Sequence, residues 1–253
     1  FFGGEREGDN RYANSLVALR ADSGELVWHQ QLVHHDVWDY DLPAQPTLVT
    51  LQRDGESIPA VLQATKMGLI FSFNRVSGDP IFAIEERAVP QGGVAGEHLS
   101  PTQPFPGAPP PVVRHTSVTA EDAWGLVLAD KWDCARQIKA LRSEGIYTPP
   151  SLQGTLEMPG YSGGINWGGL AFDPTTETVI VNASDIAMEV ALVERGKLRE
   201  TVTSGRYDHQ SFARQEGTPY GMRRGPLLSF LGVPCVAPPW GTLPSINMSN
   251  GTI

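Results

Sequence analysis

With 253 residues and a formal net charge of −9, the chain is long enough to bury a sizeable core and too acidic for the basic face that nucleic-acid binding requires. Its 27 glycines and 21 prolines, against 19% charged residues, exclude a helical bundle in favour of a turn-rich fold. No apolar run of about eighteen residues occurs, which excludes a helical membrane span within these residues. The opening FFGGEREGDN has neither an initiator methionine nor a basic segment leading into an apolar one, and the closing SINMSNGTI stops inside an alternating apolar pattern. Both ends read as cut, so the expectation is a fragment of a longer protein.

The first predicted unit is SLVALRADSGELVW (15–28): a strand over Ser15–Leu19, a turn at Asp22-Ser23-Gly24, and a return strand from Glu25 to Trp28. The stretch IFSFNRVSGDPIF (70–82) repeats the plan, with the same spacing from Gly78 to Phe82 as from Gly24 to Trp28. A third copy begins at Ser245-Ile246-Asn247 and turns at Asn250-Gly251, and AFDPTTETVIV (171–181) reads as a degenerate fourth. Strand–turn–strand units ending in an aromatic suggest a propeller, in which each blade buries the same side chain against its neighbour. The plainer alternative is that any antiparallel protein contains such hairpins.

Between the repeats, IPAVLQAT (58–65) pairs through Lys66-Met67-Gly68 with LIFSFN (69–74). The proline-dense SPTQPFPGAPPPVV (100–113) is predicted to be loop. One helix follows, capped by Asp130, with Trp132, Ala135, Ile138 and Leu141 as its apolar stripe and Gly145 as its stop. Residues 185–226 read as polar, irregular and rich in arginine and glycine. Cys134 and Cys235 lack metal-binding spacing; both a disulfide and two buried thiols remain open.

Chemistry concentrates in HHDVWDYDLPAQP (34–46). On a strand, residues two apart share a face, so Asp39 and Asp41 can point the same way. Two carboxylates together repel unless something positive lies between them, and a divalent cation is the simplest such group. Adjacent His34 and His35 point to opposite faces and make a poor joint ligand pair. Taken alone, this stretch reads equally as a solvated polar loop, and Lys66 reads as a solvated hairpin tip. GYSGGINWGG (160–169) lets backbone approach a flat ligand, with Trp167 as a stacking surface, or is a loop with one anchoring aromatic. Asn182 ends a strand as a candidate site amide, although Asn182-Ala183-Ser184 also matches a glycosylation acceptor.

The stretches HHDVWDYDLPAQPTL (34–48), ATKMGLIFSFNR (64–75), SPTQPF (100–105), EGIYTPPSLQGTLEMPG (144–160), NWGGLAFDP (166–174) and GVPCVAPPWG (232–241) together resemble a known family. It is that of the membrane-bound quinoprotein dehydrogenases for glucose, quinate and shikimate, which use pyrroloquinoline quinone (PQQ). The resemblance implies an all-β fold: part of a single eight-bladed β-propeller locked by tryptophan-docking motifs, with residues 1–253 truncated at both ends and one helix inserted. Phe82 departs from tryptophan at its docking position.

By the same resemblance, Asp39 matches the catalytic carboxylate beside the metal and would serve as both base and metal ligand. Lys66 matches the cation at the quinone's reactive carbonyl, and Asn182 an asparagine that contacts the cofactor. Asp41 falls where some related alcohol dehydrogenases place an extra metal carboxylate. The implied cofactors are PQQ and Ca2+ or Mg2+. The implied substrate is a sugar or polyol, the electron acceptor is ubiquinone, and the location is the periplasmic face of the bacterial inner membrane. Further metal ligands, the tryptophan under the cofactor and the membrane anchor would all lie before residue 1. As such a fragment the chain is not expected to close a ring. The rival readings are a quinate or shikimate enzyme of the same family and a non-catalytic propeller scaffold. The joint presence of WDYD, Lys66 and NWGG argues against the scaffold.

Overall fold

Three turns of the repeats close in the same way. Gly24, Gly78 and Gly251 sit at φ +72, +81 and +75. Each donates its N–H at 2.8 Å to the carbonyl four residues earlier, on Arg20, Asn74 and Asn247. Glycine reaches this left-handed backbone at little steric cost. The structure, a computed structural model, describes every residue except 54 and 205–209.

The strands in chain order are β1 (Ser15–Leu19), β2 (Leu26–Gln31), β3 (Thr47–Arg53), β4 (Glu56–Ala64), β5 (Ile70–Asn74), β6 (Ile84–Ala88), β7 (Thr102–Pro106) and β8 (Thr155–Glu157). Then come β9 (Ala171–Asp173), β10 (Thr178–Ile180), β11 (Ala183–Ser184), β12 (Met188–Glu194), β13 (Ser211–Ala213), β14 (Tyr220–Pro226), β15 (Gly241–Thr242) and β16 (Ser245–Asn247). Helix α1 (Leu128–Ala140) lies between β7 and β8, and α2 (Arg195–Thr203) between β12 and β13. Among the described residues the strands form separate antiparallel sheets, including β3-β4-β5, β9-β10-β16 and β8-β12-β14-β13, and none is closed.

Successive repeats lock through their aromatics. A Cβ added at Gly78 would lie 2.7 Å from the Trp28 ring, and one at Gly251 would lie 3.4 Å from Phe82. Trp28 also donates its Nε1–H to the Arg75 carbonyl at 3.2 Å, and Gln30 donates to that of Gly78 at 2.9 Å. Each aromatic therefore packs over the turn glycine of the next copy, the relation that the sequence spacing predicts. The degenerate copy is a correction: the β9–β10 hairpin shares one sheet with β16, so it belongs to the same sheet as the third copy instead of forming a blade of its own.

Four other expectations change. The helix is capped at Val127, three residues before the expected Asp130, and its buried stripe is Asp130, Cys134 and Ile138. Trp132, two residues from Cys134 and so on the opposite face, is 75% exposed. Asp130 accepts the Leu126 N–H at 2.9 Å from inside the first turn. The proline-rich stretch contains β7, whose two prolines survive because it pairs only with β6, in a two-stranded ribbon. Residues 185–226 are not irregular: they supply three strands and the second helix, α2, apart from 205–209, which lie outside the described residues. Finally, the cysteine alternatives resolve, because Cys134 and Cys235 form a disulfide across 101 residues. It fastens α1 to a core of Ile138, Leu156, Met158 and Val236. No helix among the described residues is long and apolar enough to cross a membrane.

Candidate active site

The loop 34–46 is rigid because one carboxylate organises it. Asp36 accepts the backbone N–H groups of Trp38 at 2.8 Å and Tyr40 at 2.9 Å, and the Asn14 amide at 3.1 Å. Burial nonetheless pushes its carboxyl above the usual range, against the opposing effect of these hydrogen bonds. Trp38 and Tyr40 are fully buried and both pack edge-on against Tyr147. Their polar tips are satisfied: the indole donates to the Thr148 carbonyl at 2.9 Å and the phenol to that of Pro159 at 2.6 Å. Asp39 between them sits at φ +65, a left-handed backbone costing roughly 1–2 kcal/mol for a residue with a Cβ. That conformation turns its side chain out of the core that holds its two neighbours, to the edge of an open cavity. Strain of this kind concentrates at functional sites.

Lys66 meets this loop. Its Nζ lies 3.3 Å from Asp39 Oδ1 and 2.5 Å from Asp41 Oδ1, and it donates to the Asp39 backbone carbonyl at 2.9 Å. The two aspartates do come together, but in a loop, with Asp39 at φ +65, and not by strand alternation; the positive group between them is this ammonium. The expected solvated hairpin tip is instead only 8% exposed. The glycine-rich stretch explains why. Gly164 donates its N–H to the Lys66 carbonyl at 2.7 Å, and a Cβ at Gly163 would lie 2.7 Å from the Lys66 side chain. These glycines admit the hairpin tip, whereas Trp167 is 84% exposed.

Sequence reading missed Arg224. Its Nη1 lies 2.9 Å from Asp39 Oδ2, and its guanidinium rests over Tyr161, 4.3 Å from the ring centroid, and Phe1 at 5.4 Å. Two adjacent arginines on one strand point to opposite faces: Arg223 pairs with the largely buried Glu189, and Arg224 faces the site. An arginine pair inside an alternating strand was the available signal. The cavity, about 460 Å³, is lined by Asp36, Asp39, Arg6, Arg224, Gln215, Met222 and the two N-terminal phenylalanines among others.

The remaining candidates separate. His34 contacts Glu86 at 2.9 Å, and His35 contacts the Gly8 carbonyl at 2.7 Å, so the pair diverges as expected. Asn182 is exposed; two residues on, Ser184 donates its N–H to the Gly164 carbonyl at 2.7 Å, and Gly164 donates to that of Lys66. Glu157, also missed, is buried with neither carboxylate oxygen hydrogen-bonded, and burial raises its pKa well above the ordinary value. A calcium ion takes 6–8 oxygen ligands. Among the described residues no group of three or more His, Cys, Asp or Glu side chains converges. Asp39 is the carboxylate turned to the cavity edge, and its two oxygens meet the Lys66 ammonium and the Arg224 guanidinium. Lys66 is a buried cation already directed at anionic oxygens.

Against solved structures the chain superposes over 98% of its length on a quinohemoprotein alcohol dehydrogenase from Comamonas testosteroni (TM-score 0.53, 20% identity, 29% of that chain covered). It likewise superposes over 98% of its length on a europium-containing methanol dehydrogenase (TM-score 0.55, 18% identity, 34% of that chain covered). At these identities the likeness shows the fold. In sequence it is 37% identical to the quinoprotein glucose dehydrogenase of Escherichia coli K12 over all of this chain and 32% of that protein. It is also 37% identical to a probable quinate dehydrogenase (quinone) of Xanthomonas campestris pv. juglandis over the same shares. The chain thus spans about a third of the length of the curated relatives it matches. Residues 1–253 match the model of the PQQ β-propeller domain of glucose, ethanol and alcohol dehydrogenases, and the chain belongs to that family.

Proposed function

We propose that this chain forms part of an eight-bladed propeller domain of a PQQ-dependent dehydrogenase that oxidises a sugar or cyclic-polyol hydroxyl. The observation that carries the reading is the arrangement around Asp39: one carboxylate turned out of an aromatic core to a cavity edge, with Lys66 and Arg224 on its two oxygens. PQQ, when bound, supplies the hydride acceptor, and a Ca2+ or Mg2+ ion supplies a Lewis acid. Asp39 takes the proton of the substrate hydroxyl at a side-chain oxygen, because an alcohol releases hydride poorly while that proton stays in place. The same carboxylate would be one ligand of the cation. Lys66 holds Asp39 and Asp41 in place and would stabilise negative charge on a bound quinone's oxygen. By the family resemblance, Asn182 would offer its amide to the cofactor.

Electrons would pass to ubiquinone at the periplasmic face of the bacterial inner membrane. The relatives at 37% identity, named for glucose and for quinate with a quinone, support this class without separating the two substrates. The test is to reconstitute the intact protein with PQQ and Ca2+ and follow cofactor uptake by absorbance. Glucose and quinate are then assayed with an artificial electron acceptor. Cofactor-dependent oxidation of either is expected. Failure to take up the quinone would turn the reading towards a non-catalytic propeller.

A further inference from the structure

We infer that the apolar patch of Leu126, Val127, Leu128, Trp132, Phe230 and Leu231 is a membrane-docking surface that seats in the headgroup region of an anionic lipid bilayer. The six residues are between 49% and 78% exposed, and they lie together. Leu128 and Trp132 are four apart on α1 and share a face, with Leu126 and Val127 leading into the helix. The loop between β14 and β15 comes alongside: Phe230 donates its N–H to Asp133 at 3.0 Å, and Gln137 donates to the Leu228 carbonyl at 3.0 Å. Single exposed apolar residues are ordinary, but a contiguous patch marks a contact surface. The inference is independent of the reading of Asp39.

The patch is held in place by the fold. A turn closed by the Ser229 N–H on the Val233 carbonyl and the Gly232 N–H on that of Ser229, both at 2.9 Å, carries Phe230 and Leu231 at its tip. Turn tips are ordinarily Gly, Pro, Asn, Asp or Ser. The Cys134–Cys235 disulfide ties the same loop to the helix. Charge then selects the occupant. The chain carries −9 overall, yet the exposed charges of α1 are Lys131, Arg136 and Lys139. The acidic groups of the helix are engaged: Asp130 is buried and accepts the Leu126 N–H, and Asp133 accepts from Arg136, Gln137 and Phe230. Just before the helix, Asp122 holds the Thr119 N–H and hydroxyl, and Glu121 is exposed. Cations beside Trp, Phe and Leu side chains match a bilayer interface with anionic headgroups. A second copy docked on the same patch would instead set these cations against their own counterparts.

The experiment uses the intact protein in vesicles of phosphatidylglycerol and phosphatidylcholine with brominated acyl chains, against unbrominated vesicles of the same composition. The emission of Trp132 is the difference between the wild type and Trp132→Phe, a conservative change at an exposed position. Bromine should quench about half or more of that emission, because an interfacial side chain sits about 5–10 Å deep at the headgroup–acyl boundary. In a Trp132→Phe, Phe230→Trp double variant the new indole should be quenched likewise. In phosphatidylcholine alone the quenching should fall by about half or more, since the attraction of Lys and Arg to anionic lipid is lost. Equal quenching in the two lipid mixtures would overturn the role given to the three cations. Equal Trp132 emission in brominated and unbrominated vesicles would overturn the inference as a whole. Shielding of that unquenched indole from aqueous iodide would show that protein covers the patch, either the rest of the polypeptide or a second copy.

Discussion

Replacing Lys66 with methionine separates the structural role of this cation from its chemical role. The side chain is buried, but its partners Asp39 and Asp41 are 40% and 51% exposed. Each contact is therefore worth about 1 kcal/mol or less after screening, well below the roughly 3–5 kcal/mol of breaking a fully buried pair. Arg224 stays on Asp39, and the methionine keeps most of the buried stem volume. The expected loss of stability is about 1–2 kcal/mol. Loss of a preorganised donor at the reacting oxygen should instead cost about 10²–10³ in turnover. Urea unfolding and turnover with an artificial acceptor, both on the intact loaded protein, read the two quantities. A turnover loss below about threefold, far short of that donor range, would make Lys66 a bystander. A stability loss above about 4 kcal/mol would mean that it acts as a buried strut.

Two further outcomes concern the scaffold. The Cys134–Cys235 bond closes a span of 101 residues, for which the chain-entropy model gives up to about 4.7 kcal/mol; a Cys134→Ser, Cys235→Ser double variant should lose about 2–5 kcal/mol in denaturant unfolding, and no loss would show that the bridge is dispensable. Glu157 keeps its proton in the folded protein at pH values where the unfolded chain, with an ordinary value of 4.5, has lost it. Its raised pKa therefore leaves stability untouched below the unfolded value and erodes it as pH rises. Glu157→Gln should gain stability increasingly between about pH 5 and pH 8, and an unfolding profile parallel to the wild type's would refute this.

What the sequence disclosed follows from how local each feature is. The turn glycines and the aromatics four residues beyond them were legible because each unit is specified within about fifteen residues, and Trp28 over Gly78 and Phe82 over Gly251 restate that spacing in space. Asp39 and Asp41 were legible as a carboxylate pair needing a positive group, but neither their loop conformation nor the identity of that group was, since Lys66 lies 27 residues from Asp39. Arg224 was further out of reach, 185 residues from the carboxylate it touches and inside a strand whose two arginines hid its alternation. Trp132 misled because its hydrophobicity outweighed its position: the disulfide fixes the buried face at Cys134, and the indole is left in solvent. The burial of Lys66 depends on glycines nearly a hundred residues downstream, which no hairpin propensity records.

The most direct test is Asp39→Asn in the intact protein carrying PQQ and Ca2+, with turnover and quinone absorbance measured on the same sample. The amide keeps the size and one oxygen of the carboxylate but cannot accept the hydroxyl proton. The prediction is loss of turnover with most of the cofactor still bound; near-normal turnover would show that the proton leaves by another route.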